Sequence, residues 1–201
     1  MTPKDFSAFP TGNLCNAHDR VRALAPAIKP LIPNVRISGR AKTARIRPGQ
    51  NAAIHHAVHT AQPGDILVVD GGGSERFGPF GDLLASACMA KGIVGAVFDC
   101  AVRDSTDIRA LGFQLFGRGY HPEPTAKTDP GEIDVPVVIG GVLIQPGDVV
   151  VGDEDGVVAF DATIADEVAV RVAEVVEREE RIRARIAKGE TTYEIFNLKA
   201  D

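Results

Sequence analysis

Apolar residues fall at every second position in Val35, Ile37, Gly39, Ala41 and Thr43. A period of two is that of an extended chain with one face buried, and it predicts a strand over Val35–Ile46. Asn51–Ala61 reads as a helix. Pro63-Gly64-Asp65 then turns into the unbroken apolar run Ile66-Leu67-Val68-Val69-Asp70, the strongest strand signal in the chain. A triple glycine follows, then a helix over Asp82–Lys91 closed by Gly92. Ile93–Phe98 is the next buried strand, so strand, helix and strand form a βαβ unit. A helix at Ser105–Ala110 leads to a strand at Phe113–Phe116.

The rhythm changes on either side of this block. Residues 1–34 read as helical pieces interrupted by prolines, Pro26, Pro30 and Pro33 ending the last. Val135–Ile144, Val149–Val151 and Val157–Phe160 read as short strands joined by tight turns, with antiparallel pairing expected. Gln-Pro-Gly-Asp occurs at 62–65 and again at 145–148, which points to shared turn chemistry rather than duplication. Ile164–Lys188 predicts a long terminal helix. Its first half carries an apolar stripe, Ile164, Val168, Val172, Val175 and Val176. Its second half, Glu177–Arg185, is almost wholly charged, as expected of a solvated face held by i,i+4 pairs or of a segment lying on a neighbouring subunit.

The 201 residues suit one ordinary domain spanning 1–201, with an N-terminal helical segment (1–34) and a C-terminal helix and tail (162–201). The net charge of −5 argues against a nucleic-acid partner. The basic stretch Arg36–Arg47 alternates with small and apolar residues and reads as the solvent face of a strand. Cys15, Cys88 and Cys100 lack metal or redox spacing and read as small packing residues, which suits a reducing cytoplasm. No signal-like segment opens the chain, and no apolar run approaches the length of a membrane span.

Candidate chemistry concentrates between Asp70 and Asp104. Gly71-Gly72-Gly73 follows a buried strand, where backbone can approach a ligand or simply turn. Gly81-Asp82-Leu83-Leu84 opens a helix, and its first amides lack internal partners and sit at the positive end of the helix dipole. The amides of Leu83 and Leu84 can therefore cradle a carboxylate. Arg103 offers a fork of N–H donors, and Asp104 a hard oxygen ligand suited to Mg²⁺ or Mn²⁺. Taken singly, Asp82 also reads as a plain helix N-cap, and Arg103 and Asp104 as an ordinary surface pair at a strand end. Parallel strands place such groups on one side of a sheet. His55 and His59 have the i,i+4 spacing of a zinc pair but no third ligand nearby, so a helix-surface role is preferred. The glycines lack the order of a dinucleotide fingerprint. His121 lies in a proline-rich loop, Tyr120–Pro130, to which no chemistry is assigned.

The stretches "PGDILVVDGGG", "GDLLASACMAKGIVGAVFDCAVRD" and "GDEDGVV" resemble the superfamily of the regulator of ribonuclease activity A. Within it, the chain is similar to the class II pyruvate aldolases acting on 4-hydroxy-4-methyl-2-oxoglutarate, which also decarboxylate oxaloacetate. Their signature, an aspartate, twenty residues and Arg-Asp, is met by Asp82, Arg103 and Asp104. The resemblance implies an α/β fold, a layered β/β/α sandwich of the swivelling-domain type. It implies a metal on Asp104 with waters completing the shell, a pyruvyl oxygen on Arg103, and the pyruvyl carboxylate on the amides of Leu83 and Leu84, beside Gly81. Asp82 would hydrogen-bond a water on the metal and aid proton transfer. The resemblance also implies trimers, often paired into hexamers, in which a C-terminal glutamate reaches the neighbouring site. That role falls on Glu179, with Glu180 as the alternative. The rivals are a non-catalytic regulator that binds a ribonuclease or a helicase, against which the Arg103-Asp104 pair weighs, and an isomerase or hydratase that reuses the same site.

Overall fold

The computed structural model describes residues 4–199. Helix α1 (Thr11–Ala17) is followed by two-residue strands β1 (Arg22–Ala23) and β2 (Lys29–Pro30), then by β3 (Ile37–Arg45), α2 (Ala52–Thr60), β4 (Asp65–Asp70) and α3 (Asp82–Ala90). Next come β5 (Gly95–Phe98), β6 (Ala101–Val102), α4 (Ser105–Leu111), β7 (Leu115–Gly117), β8 (Gly119–Tyr120) and β9 (Glu132–Ile133). The hairpin β10 (Val137–Ile139) and β11 (Val142–Ile144), strands β12 (Val149–Asp153) and β13 (Gly156–Phe160), a 3₁₀ turn over Ala162–Ile164, α5 (Ala165–Ile186) and α6 (Thr192–Ile195) complete the order.

The main sheet runs β1-β13-β12-β3-β4-β5-β7-β2, with β9 also paired to β3. Strands β3, β4, β5 and β7 are parallel, while β12, β13, β1 and β2 join antiparallel. In β4, Ile66, Leu67, Val68 and Val69 are all buried. Successive strand residues point to opposite faces, so β4 is covered on both. The β10–β11 hairpin and helices α2, α3 and α4 share its core, which gives an α/β fold of layered β/β/α type. A second cluster joins Phe6 and Leu14 to β12, β13 and the α5 residues Val168, Val172 and Val175.

Most elements follow the apolar pattern, with informative departures. Residues 4–34 hold one helix and two short strands instead of several helical pieces, because Lys29–Pro30 pairs with β7 and Arg22–Ala23 with β13. Val135–Ile144 is two strands, because Gly140 and Gly141 adopt φ of 52° and 80° and reverse the chain between Ile139 and Val142. The solvent-face reading of Arg36–Arg47 fails at Lys42, which is buried and meets Asp134 at 2.8 Å. The segment carrying Asp134 covers that face, and a buried ammonium needs such a carboxylate. Cys15 is exposed, unlike Cys88 and Cys100.

The two Gln-Pro-Gly-Asp turns are built alike. Asp65 Oδ2 accepts the Gln62 amide at 2.8 Å, and Asp148 Oδ2 accepts that of Gln145 at 2.9 Å. Gly64 and Gly147 take φ of 89° and 85°, as the third position of a type II turn requires. Each turn feeds a strand that flanks β3. The charged half of α5 carries the expected pairs, Glu177–Arg181 at 2.9 Å and Glu179–Arg183 at 2.8 Å.

Candidate active site

Strands β5 and β7 both break and resume as the small parallel pair β6–β8. The break carries the chain beyond the carboxyl ends of these parallel strands and delivers Arg103 and Asp104 to the start of α3. The segment that meets them is anchored by Phe80, a fully buried ring 4.8 Å from Phe98 and 5.8 Å from Phe113 between centroids. The Arg103 amide donates to the Phe80 carbonyl at 2.9 Å. Gly78 is required beside it, since a Cβ there would lie 2.6 Å from Arg103 Cβ.

Asp82 is the first residue of α3, and Gly81 precedes it as N-cap with no side chain to offer. Asp104 supplies what Gly81 lacks: its Oδ2 accepts the Asp82 amide at 3.3 Å. To do so Asp104 takes a left-handed conformation, φ 59° and ψ 42°, which aspartate tolerates at modest cost. The same oxygen lies 3.3 Å from Arg103 Nε, and the terminal guanidinium nitrogens of Arg103 bond to nothing among the described residues. A Cβ at Gly81 would overlap Asp104 Oδ2. The next two amides of α3, those of Leu83 and Leu84, have no partner among the described residues, and Ala85 is the first to bond within the helix, to Gly81. They form an anion cradle beside a cation.

These residues line one pocket of about 100 Å³ together with Asn51, His55, Gly78, Pro79, Thr125 and Lys127. The volume suits a small acid, well below the roughly 300–1,000 Å³ of pockets for drug-sized ligands. Gly81, Asp82, Leu83, Leu84, Arg103 and Asp104 thus come together as expected. The triple glycine does not line the pocket. Gly71 instead packs on Cys100, where a Cβ would sit 2.6 Å from that side chain's own. Glu179 also lies elsewhere within the chain. It is held by Arg183 and by Asn13 Nδ2 at 3.3 Å, and no α5 residue lines the pocket. Glu180 is exposed.

Besides Gly78 and Pro79, the lining residues not assigned this place from the sequence are Asn51, His55, Thr125 and Lys127. Asn51 is buried, donates through Nδ2 to the Pro79 carbonyl at 3.0 Å, and leaves its Oδ1 without a partner. Thr125 and Lys127 come from the proline-rich loop, which is pinned to the start of α2. Ala126 exchanges bonds with Gly49 and Asn51, and Gln50 Oε1 accepts the Thr128 amide at 3.0 Å. His55 is exposed on α2; partial burial, then the charge of Lys127, lower its pKa below the ordinary imidazole value. Its spacing from His59 left a metal pair open but favoured a helix-surface role, and His55 does lie exposed on α2 while also lining the pocket.

For a divalent cation, the donors present are the carboxylates of Asp82 and Asp104. No group of three or more His, Cys, Asp or Glu gathers among the described residues. Two hard oxygen ligands in an open pocket fit Mg²⁺, which keeps much of its water shell, and they do not fit a zinc-type enclosure.

Known proteins resemble this chain in sequence and in fold. The profile of the RraA-like family, Aldolase/RraA, matches residues 11–159. The chain is 40% identical over 152 residues, 76% of its length and 72% of the relative's, to a Halalkalibacterium halodurans protein provisionally named 4-hydroxy-4-methyl-2-oxoglutarate aldolase. An uncharacterized protein from Pseudomonas syringae pv. tomato has a similar structure, with a TM-score of 0.80 and 28% identity over 95% of this chain and 97% of that one. The RNA-processing inhibitor RraA of Thermus thermophilus has a TM-score of 0.71 and 33% identity over 76% of this chain and 92% of its own.

Proposed function

Since the chain belongs to the RraA-like family, of which aldolases and ribonuclease regulators are both members, we propose that it is a divalent-metal-dependent lyase. It cleaves a 4-hydroxy-2-keto diacid, such as 4-hydroxy-4-methyl-2-oxoglutarate, to pyruvate and a second keto acid, and decarboxylates oxaloacetate. The observation that carries this reading is the Arg103-Asp104 pair set against the open amides of α3. Asp104, with water, would hold Mg²⁺ or Mn²⁺, and the cation supplies Lewis-acid polarisation of the 2-keto oxygen.

The chain's own groups account for the rest. The Leu83 and Leu84 amides hold the pyruvyl carboxylate, which fixes the 2-keto group against Arg103. As the bond between C3 and C4 breaks, the 4-hydroxyl loses its proton and the bonding electrons pass to the pyruvyl half as an enolate. Free N–H groups of Arg103 donate to the oxygen on which that charge develops. Asp82 serves proton transfer through water, and protonation at C3 completes pyruvate. Oxaloacetate reaches the same enolate by losing CO₂.

The assembly we propose is a homotrimer or homohexamer, with Glu179 or Glu180 of one subunit reaching the site of the next. Leu83 supports an interface, since it is apolar, 79% exposed and at the pocket mouth. We place the protein in the cytoplasm as one domain, with no nucleic-acid or membrane partner; no described helix is long and apolar enough to cross a membrane. The rival reading, a protein-binding ribonuclease regulator, draws on the Thermus thermophilus inhibitor. Pyruvate release from oxaloacetate and from 4-hydroxy-4-methyl-2-oxoglutarate decides between them. Release that stops with EDTA and returns with Mg²⁺ or Mn²⁺ is expected; full activity in metal-stripped protein overturns the metal assignment, and inert protein favours the regulator.

A further inference from the structure

We propose that Lys127, with Thr125 and His55 beside it, receives the second carboxylate of the diacid and so sets the preference for diacids over monoacids. The inference rests on the lyase reading above and adds residues to which that reading gives no role. The pocket lining divides by origin. Gly81 to Leu84, Arg103 and Asp104 provide for the pyruvyl half. Asn51, His55, Thr125 and Lys127 come from the start of α2 and the loop pinned to it.

The backbone that carries Lys127 is held in place. Its neighbour Ala126 is bonded on both sides, through its N–H to the Gly49 carbonyl at 2.9 Å and through its carbonyl to the Asn51 amide at 3.1 Å. Thr128, on the other flank, is held by Gln50. The nearby carboxylates are engaged elsewhere, Glu123 by Arg76 and Asp129 by Arg47, and Lys127 has no ion pair among the described residues. Partial burial first, and then the charge of Lys127, disfavour the imidazolium of His55, which favours the neutral ring with one N–H to offer. An ammonium on a segment whose backbone is held at both flanks, with a hydroxyl and an imidazole at hand, matches a carboxylate. The pyruvyl carboxylate already has the Leu83 and Leu84 amides, so a second carboxylate is the anion left for Lys127.

The test compares diacid cleavage with exchange of the C3 protons of pyruvate into deuterated water, which uses only the pyruvyl half. Lys127→Met should raise KM for the diacid by roughly 10- to 100-fold, the value of a charge-assisted hydrogen bond, and affect pyruvate exchange far less. Lys127→Arg should recover most of the loss. Inhibition should follow suit, with 2-oxoglutarate weakened by Lys127→Met and 2-oxobutyrate little changed. Equal losses in cleavage and exchange, or none in either, overturn the proposal. So does a borohydride-trapped pyruvate adduct on Lys127, because the amine would then be attacking the 2-keto carbon. A wild-type protein that neither exchanges pyruvate protons nor releases pyruvate overturns the lyase reading itself, and this inference with it.

Discussion

The Oδ2 atom of Asp104 accepts the backbone N–H of Asp82 at 3.3 Å, so a carboxylate from one loop caps a helix that begins 22 residues earlier. One side chain therefore carries two duties, capping the start of α3 and offering a ligand oxygen to the pocket. Substitutions separate them. Asp104→Asn keeps a carbonyl oxygen for the cap and gives up the charge, so stability should hold while Mg²⁺ affinity falls. Asp104→Ala gives up both and should cost in addition about 1 kcal/mol, as for the loss of a helix cap. Thermal melts and metal titration of the two variants check this; wild-type affinity in Asp104→Asn would mean that Asp104 is not the ligand.

Gly81 makes a sharper case. Its φ of −142° is open to any residue, yet a Cβ there would overlap the Asp104 carboxylate. Gly81→Ala should leave the fold intact and displace that carboxylate, with kcat/KM falling on the order of 10²-fold, as misplacement by an ångström can cause. Unchanged kinetics alongside an unchanged melting temperature would show that the carboxylate need not sit where the structure puts it.

For Arg103 the prediction concerns shape rather than charge. Its Nε is turned to Asp104, which leaves the terminal nitrogens for substrate. Arg103→Lys retains a cation but has no fork, and a loss in kcat on the order of 10²-fold or more is expected, as for removal of an oxyanion donor. A rate within error of wild type would confine Arg103 to a structural role.

The interface proposal is tested by mixing subunits. Light scattering should show a trimer or hexamer. Glu179→Ala and Asp104→Asn are each expected to be inactive alone, and their mixture to regain part of the activity, because some shared sites then draw both groups from intact chains. Glu179 already meets Asn13 and Arg183 in its own chain, whereas Glu180 makes no ion pair among the described residues, so Glu180→Ala belongs in the same series. Absence of recovery in both pairings, with subunit exchange verified, rules out the shared site.

The sequence carried the local half of this architecture. Asp82, Arg103 and Asp104 could be placed because each stands at the end of an element marked by its own apolar run, and parallel strands bring such ends together. Thr125 and Lys127 could not, because a proline-rich loop has no period. Their position depends on Gln50 and Asn51, more than seventy residues away in sequence. The triple glycine left a ligand approach and a plain turn both open for a related reason: the close neighbour that excludes a side chain at Gly71 is Cys100, and nothing in the local pattern distinguishes a packing partner from a ligand. Val135–Ile144 read as one strand because its two glycines sit in an otherwise apolar run, and only their dihedral angles disclose the reversal.

Phe80 ties the pocket to the molecule's interior: its ring packs on Phe98 and Phe113 while its carbonyl holds the Arg103 amide. Heat should therefore find no separate weak point in this segment. Inactivation and global unfolding should share one transition, and trimming Phe98 or Phe113 to loosen the interior would blur the alignment of Arg103 before the protein melts. A programme to raise thermal tolerance would do well to leave those three rings as they are and work on the exposed half of α5 instead.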